Sequence, residues 1–277
     1  MLKKNISIFR FFIGDIRDKS RLNWALEGDV DVVIHTAALK QVPVTEYNPF
    51  ETVKTNIIGS QNLIEVSIKK NIDKVLLIST DKAVSPLNLY GSTKLTAEKI
   101  FISANLFKGK SKSKFSVARY GNVMGSRGSV IPIFLNQEKN NKDFTITDNR
   151  MTRFNITIKE AVSFVMSCIS NMKGKEIFIP KCPSYKITDV VKAINPKRRI
   201  KIIGIRPGEK IHEELINKSE FFNTVDKKNN YIIYPLNSNF KKKITDGISY
   251  NSLDNKKFLS IGKIKDLIKK NLLDFEK

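Results

Sequence analysis

Ile78-Ser79-Thr80-Asp81-Lys82-Ala83-Val84-Ser85-Pro86-Leu87-Asn88-Leu89-Tyr90-Gly91-Ser92-Thr93-Lys94 is the stretch whose reading decides the fold. The apolar run Val75 to Ile78 that leads into it has the length of one buried strand. The chain turns polar at Ser79, and Ser85-Pro86 marks a loop. A helix follows, carrying Tyr90 and Lys94 one turn apart on one face. A strand thus delivers Ser79, Thr80, Asp81 and Lys82 to its carboxyl end, and a helix brings a phenol and an ammonium beside them. Doubly wound sheets put their ligands at the carboxyl ends of strands.

These residue types suit proton transfer. Free tyrosine, with a pKa of about 10, is a poor base at neutral pH. A lysine ammonium four residues along the helix favours the phenolate by Coulomb attraction. Tyr90 is then a candidate to take a hydroxyl proton. Asp81 and Lys82, a neighbouring acid and base, offer two further proton transfers. Y-x-x-x-K alone also describes an ordinary solvated helix pair, and such short matches carry a high false-positive risk. The S-T-D-K run directly upstream favours the chemical reading.

Outward from this stretch the same alternation repeats. Val30 to His35 is an apolar strand of the buried parallel kind, followed by the small residues Thr36-Ala37-Ala38. Tyr47-Asn48-Pro49 opens a helix whose Val53, Ile57, Ile64 and Ile68 make a core-facing stripe. Lys74 to Ser79 and Phe115 to Tyr120 are strands, the second ended by Gly121-Asn122-Val123 at the same edge as Ser79 and Thr36. Strand, helix, strand is the signature of a parallel sheet with right-handed crossovers. Upstream, Phe9 to Ile13 reads as a short strand, and Asp18 or Ser20 starts a helix through Leu26. Asp15 between them serves either as a ligand contact or as a cap or turn residue. From Ile131 the pattern loosens. It gives a helix over Ile156 to Met166, a strand over Glu176 to Pro180, and a helix over Ile187 to Ile194 capped by Thr188 or Asp189. A strand over Ile200 to Ile205 leads into Arg206-Pro207-Gly208-Glu209-Lys210, and the tail is a polar segment over 246–250 followed by a helix within Leu253 to Leu273.

Composition narrows the function classes. The 277 residues allow one large or two modest domains. No apolar run approaches the roughly 20 residues needed to cross a bilayer, and the start of the chain lacks a cleavage site. The chain reads as cytoplasmic, with no membrane partner. Two cysteines, Cys168 and Cys182, are too few for a disulfide framework, and His35 and His212 lie far apart with no metal-ligand spacing. The formal charge of +22 first suggests nucleic acid. The lysines are scattered, however, and not interleaved with aromatics in one stripe, so nucleic acid is not expected. The positive field suits a phosphorylated ligand.

The central stretch, with F-F-I-G-D-I-R-D (11–18), I-H-T-A-A-L-K-Q-V-P (34–43), R-Y-G-N-V-M-G-S-R-G-S-V (119–130), T-D-N-R-M-T-R-F (147–154) and I-G-I-R-P-G-E-K-I-H-E (203–213), resembles the extended short-chain dehydrogenase/reductase superfamily. Within it, the chain is similar to the soluble, inverting UDP-N-acetylglucosamine 4,6-dehydratases of pseudaminic acid synthesis. S-T-D-K and R-Y-G-N are the specific runs. Hexose dehydratases usually read T-D-E where this chain reads T-D-K, and related epimerases tend to carry methionine at the position of Tyr90. The resemblance implies Thr80, Asp81, Lys82, Tyr90 and Lys94 as the catalytic group. It places NADP, or alternatively NAD, against Asp15, Ile16, Thr36, Ala37, Ala38, Tyr90, Lys94 and Val123. It places a UDP-sugar against Lys40, Ser79, Thr80, Asn122, Arg127, Arg153, Arg206 and Glu209. Around Arg127, Gly125 to Ser129 is either a phosphate-binding loop or a flexible turn. The implied fold is α/β, a Rossmann-like doubly wound parallel sheet, in a homo-oligomer. Residues 1–130 would be its nucleotide-binding part and 131–277 a smaller substrate-binding region interleaved with it.

Two departures stand out. Gln41 replaces a histidine common in relatives, away from the proposed chemistry. More serious, no G-x-G-x-x-G or G-x-x-G-x-x-G occurs in the chain, although such a turn holds the pyrophosphate in dinucleotide folds. The first βαβ unit reads as missing, so cofactor binding is expected to be impaired. A UDP-sugar epimerase and a truncated non-catalytic remnant are the rival expectations.

Overall fold

A computed structural model describes residues 9–126, 128–235 and 249–271. Arg127 and the parts of the tail reading at 246–248 and 272–273 lie outside the described residues. The centre of the fold is a six-stranded sheet. Three parallel strands lead it: β1 (Val32–His35), β2 (Lys74–Thr80) and β3 (Lys114–Tyr120). Ile177–Pro180 adds in parallel to β3, and then Asn230–Ile233 and Thr224–Asp226 add antiparallel. β2 and β3 are buried or half-buried along their whole length, because helices cover both faces. The crossover helices are Gly59–Lys69 and Leu89–Phe107, and Ile158–Asn171 covers the opposite face through Phe164, Val165, Cys168 and Ile169 against Leu76, Ala118 and Phe178.

The parallel register aligns Thr80 with Tyr120, so the ends of β2 and β3 open onto one edge. The main hydrophobic cluster joins Val75, Phe101 and Phe115 to Phe154, Ile177, Leu215 and Tyr250. It therefore runs through the boundary drawn at residue 130. A second cluster, including Phe134, Phe144, Tyr185, Val191 and Ile264, supports the C-terminal region. That region's short strands pair locally: Phe144–Ile146 with Ile200–Ile202, Thr152–Phe154 with Ser184–Lys186, and Glu214–Ile216 with Tyr250–Asn251.

Several local expectations are corrected. Phe9 to Ile13 forms no strand: no neighbouring strand pairs with it among the described residues, and Phe11 and Ile13 are exposed. The helix after Pro49 is interrupted by a π turn, Lys54–Ile58, which adds a residue to the turn and rotates the face. Thr52, Asn56 and Ser60 are buried as a result, while Val53 and Ile57 are only half-buried. The strand at Ile200 stops at Ile202. The helix Ile187–Ile194 starts after Lys186 with no side-chain cap, so neither Thr188 nor Asp189 caps it. The next helix upstream spans Ile158–Asn171, started by a capping box between Thr157 and Glu160. The tail helix spans Ile261–Lys270, and Asp18 caps Lys19–Ala25.

Candidate active site

Thr80 ends β2 in extended backbone, and Asp81–Ala83 makes a single 3-10 turn in which the Lys82 N–H donates to the Thr80 hydroxyl. That turn aims two consecutive side chains inward. Asp81 is fully buried, and its Oδ1 accepts from Thr80 Oγ1 at 3.0 Å and from Lys82 Nζ at 3.0 Å. Lys82 Nζ also donates to Glu213 Oε1 at 3.2 Å. Glu213 is buried too, with Arg153 Nε 3.7 Å away. Two glycines make room. A Cβ on Gly121 would lie 3.0 Å from Asp81 Oδ2, and one on Gly91 would lie 2.2 Å from the Lys82 carbonyl. Asn88 caps the Tyr90 helix by accepting from Gly91 N–H at 2.8 Å.

Charge states follow from this packing. Burial pushes the Asp81 carboxyl up, Glu213 pushes it further, and Lys82 only partly offsets both. Burial alone would lower Lys82, but Asp81 and Glu213 together hold it above its ordinary value. Burial would raise Glu213, but Lys82, Arg153 and Lys210 hold it below its ordinary value. Burial, helped by the Asp81 charge, holds the Tyr90 phenol above its ordinary value, and Lys82 and a hydrogen bond to Thr80 only partly offset it.

Lys94 does something other than its spacing predicts. Its Nζ donates to the Ile78 carbonyl at 2.7 Å, and burial lowers it to about 8. Thus the ammonium acting on Tyr90 is that of Lys82, and Lys94 staples the helix to β2. Thr80, Asp81, Lys82 and Tyr90 converge; Lys94 stands behind them.

The remaining predicted residues divide. Ser79 is buried at the end of β2, and Asn122 and Val123 follow β3 at the same edge, Val123 bridged to Ile156. Thr36 and Ala37 are exposed just past β1, and Ala38 is half-buried. Lys40 is exposed, and its neighbour Leu39 is held through both backbone groups by Asn56. Arg153 donates inward to the Thr152 and Ile211 carbonyls. Arg206 is exposed on a turn that Glu209 closes, and Glu209 lies 3.9 Å from Arg153. Asp15 is spent in a local turn with Arg17, which holds its carboxyl down at about 2, and Ile16 packs on Gly59. Asp15 and Ile16 are thus engaged with their own neighbours.

Glu213, Lys210 and Arg119 were not anticipated. Lys210 donates to the Val84 carbonyl, and Ser85 donates to Glu214 at 3.1 Å, so the 206–214 segment fastens the loop before Tyr90. Arg119, fully buried in β3, uses all five N–H donors on Glu98, Glu220 and the Leu215 carbonyl. All three fall within motifs already quoted, but contacts across a hundred residues leave no local signal.

Among the described residues, eight buried side-chain polar atoms lack a partner, and four are here: Ser79 Oγ, Asp81 Oδ2, Asn122 Oδ1 and Glu213 Oε2. Buried polar groups are ordinarily satisfied, so their concentration at one sheet edge marks a place where a polar ligand completes the bonding. The described residues contain no cluster able to hold a metal ion.

A parallel sheet with S-T-D-K at the tip of β2 and Y-x-x-x-K on the next helix defines a Rossmann-type chain of the extended short-chain dehydrogenase/reductase kind. The chain belongs to the polysaccharide biosynthesis protein family, whose pattern matches residues 1–235. It is 50% identical over 276 residues to an uncharacterized membrane protein of Methanocaldococcus jannaschii, covering 96% of this chain and 82% of that one. It is 47% identical over 279 residues to the UDP-N-acetylglucosamine 4,6-dehydratase (inverting) of Campylobacter jejuni, covering 95% and 83%. The X-ray structure of Pen from Bacillus thuringiensis matches with a TM-score of 0.87 at 40% identity, over 95% of this chain and 82% of that one. No helix among the described residues is long and apolar enough to cross a membrane.

Proposed function

We propose that the chain is a UDP-N-acetylglucosamine 4,6-dehydratase that inverts C5 and works with NADP. The observation that carries the reading is the convergence of Thr80, Asp81, Lys82 and Tyr90 beside four unpartnered polar atoms. The similarity to the Campylobacter jejuni dehydratase supports the substrate.

Tyr90 takes the proton of the C4 hydroxyl while Thr80 Oγ1 bonds the same oxygen. A bound nicotinamide would supply the redox chemistry, taking up hydride from C4 and giving it back at C6. The small residues Thr36, Ala37 and Ala38 past β1 leave room for such a group against the backbone. The sequence supplies no glycine-rich turn for the pyrophosphate, so no residue is assigned to it.

The elimination needs a neutral amine and a protonated carboxyl. One proton moved 3.0 Å from Lys82 Nζ to Asp81 Oδ1 creates both, without changing the net charge of the buried cluster. Lys82 then removes the C5 proton, and Asp81 protonates the departing C6 oxygen. The ion pair is thereby restored, and C5 regains a proton, the one Tyr90 took from the C4 hydroxyl, on the face away from Lys82, which inverts C5. Asn122 and Ser79 hold the sugar, and Arg206 with Glu209 lies toward the nucleotide.

The test is product analysis after incubation with UDP-N-acetylglucosamine and NADP. A 4-keto-6-deoxy sugar nucleotide lighter by one water is expected. A product of unchanged mass would make the chain an epimerase, and repeating the assay with NAD settles the nucleotide.

A further inference from the structure

Glu213 is a buried carboxylate that the mechanism above leaves without a role. Its Oε1 shares the Lys82 ammonium with Asp81, at 3.2 Å against 3.0 Å. Two buried carboxylates on one ammonium cannot be equivalent unless their other neighbours are, and here they are not. Asp81 has only the Thr80 hydroxyl besides Lys82. Glu213 has the Arg153 guanidinium at 3.7 Å, and that guanidinium is itself fixed by the Thr152 and Ile211 carbonyls. Lys210, fastened to the Val84 carbonyl, adds a second cation on the same side.

Resting on the dehydratase reading, we propose that Glu213 is a positioning residue whose permanent negative charge, guarded by Arg153, directs the Lys82 proton to Asp81 and so fixes which group is acid and which is base. The environments push the two carboxyls apart, Asp81 upward and Glu213 downward, and such divergence is how acid and base roles are assigned. The charged and titratable groups around Glu213 are accounted for. Asp81 and Lys82 face it from the 3-10 turn, and Arg153 from its own strand. Lys210 acts on it from the preceding loop, where Glu209 instead faces Arg153. Glu213 in turn acts on the buried Tyr185 phenol. Of its chain neighbours, Glu214 pairs with Ser85, and His212 bonds Thr152.

Asp81 and Lys82 ionise as a pair, so activity follows a bell bounded by two macroscopic pKa values. The Glu213 charge raises both groups. Glu213→Gln keeps the shape and removes the charge, so the whole bell moves to lower pH, by about one unit or more. Turnover at the wild-type optimum falls at least tenfold. Glu213→Asp keeps the charge, so its bell stays in place even where the shorter reach lowers the maximum rate. A bell that stays put in Glu213→Gln while the rate falls would leave Glu213 a merely structural residue and overturn the proposal.

A second measurement does not need turnover. Lysines are methylated with a 13C label and titrated by NMR, with Lys82→Met assigning the signal. Lys82 should ionise at lower pH in Glu213→Gln than in the wild type. Identical titrations would end the proposal even if the chain dehydrates the sugar. A shifted titration without a dehydrated product would uphold the coupling and reject the substrate. Should Glu213→Gln fail to fold, the double variant Glu213→Gln with Arg153→Met, which strands no guanidinium, must still lower the Lys82 ionisation, because Glu213 acts on Lys82 more strongly than Arg153 does, and an unmoved titration would overturn the proposal.

Discussion

Gly91 lets the Tyr90 helix rest directly on the Lys82 backbone, and the site's spacing depends on that contact. A methyl built at position 91 falls 2.2 Å from the Lys82 carbonyl oxygen and 3.0 Å from Pro86 Cβ. Ordinary contact begins at 3.4 Å, so Gly91→Ala forces the helix and the turn apart by about 1 Å in a close-packed interior. The nearest obstacle is backbone, so no flexible side chain can swing away. Tyr90 moves with the helix, and Lys82 stays with the turn. A misplacement of about 1 Å lowers a rate roughly 100-fold. Overpacking of this kind destabilises by about 1–3 kcal/mol. The expected result is a roughly 100-fold fall in kcat for the 6-deoxy product, with a lower urea midpoint. Gly262→Ala is the control, since its methyl meets nothing within 4 Å in the helix Ile261–Lys270. It should stabilise by about 0.4–1 kcal/mol and leave kcat unchanged. A Gly91→Ala protein with wild-type kcat would show that the phenol and the ammonium do not act as one unit.

Lys82→Ala should abolish turnover while the protein still binds the UDP-sugar by calorimetry; retained turnover would remove Lys82 as the base. Arg119→Met strands the buried Glu98 carboxylate and should cost about 3–5 kcal/mol in urea unfolding, whereas adding Glu98→Gln and Glu220→Gln should recover most of the loss. His35 is buried between Ser60 and Phe101, and burial lowers it from 6.5 to about 3. The unfolded chain therefore binds one more proton between those values, so stability falls with acidification across about pH 6.5 to 3, by roughly 1.4 kcal/mol per unit for this group. His35→Phe should flatten the dependence of the urea midpoint on pH in that window; an unchanged slope would place the acid sensitivity elsewhere.

The sheet and the central cluster were readable because their signals are local. The runs into Ser79 and Gly121 are strand-length and apolar, and the period of a helix puts Tyr90 and Lys94 on one face. Spacing fixes a face, but it does not say which neighbour a side chain meets there. Lys94 reaches the Ile78 carbonyl because β2 passes beneath the helix, and only packing reveals that. The π turn at Lys54–Ile58 breaks the period that made Val53 and Ile57 look buried. Phe9 to Ile13 has strand chemistry, but a strand needs a partner, and none pairs with it among the described residues. The antiparallel strands Thr224–Asp226 and Asn230–Ile233 are too short for their residues to show a clear alternation. Glu213 was invisible for a different reason: it meets Lys82 across 131 positions, and no window of sequence spans that distance.

The Arg119 clamp gives the chain an order of assembly. Its guanidinium meets Glu98 early, but the Leu215 carbonyl and Glu220 lie 96 and 101 positions further on. While the ribosome is still short of residue 220, β3 has a cation whose last counter-charge does not yet exist. The helix and strands that shape the catalytic edge are therefore locked only after Glu220 has been made, and a synthesis that stalls before then leaves a core that quality-control proteases can open.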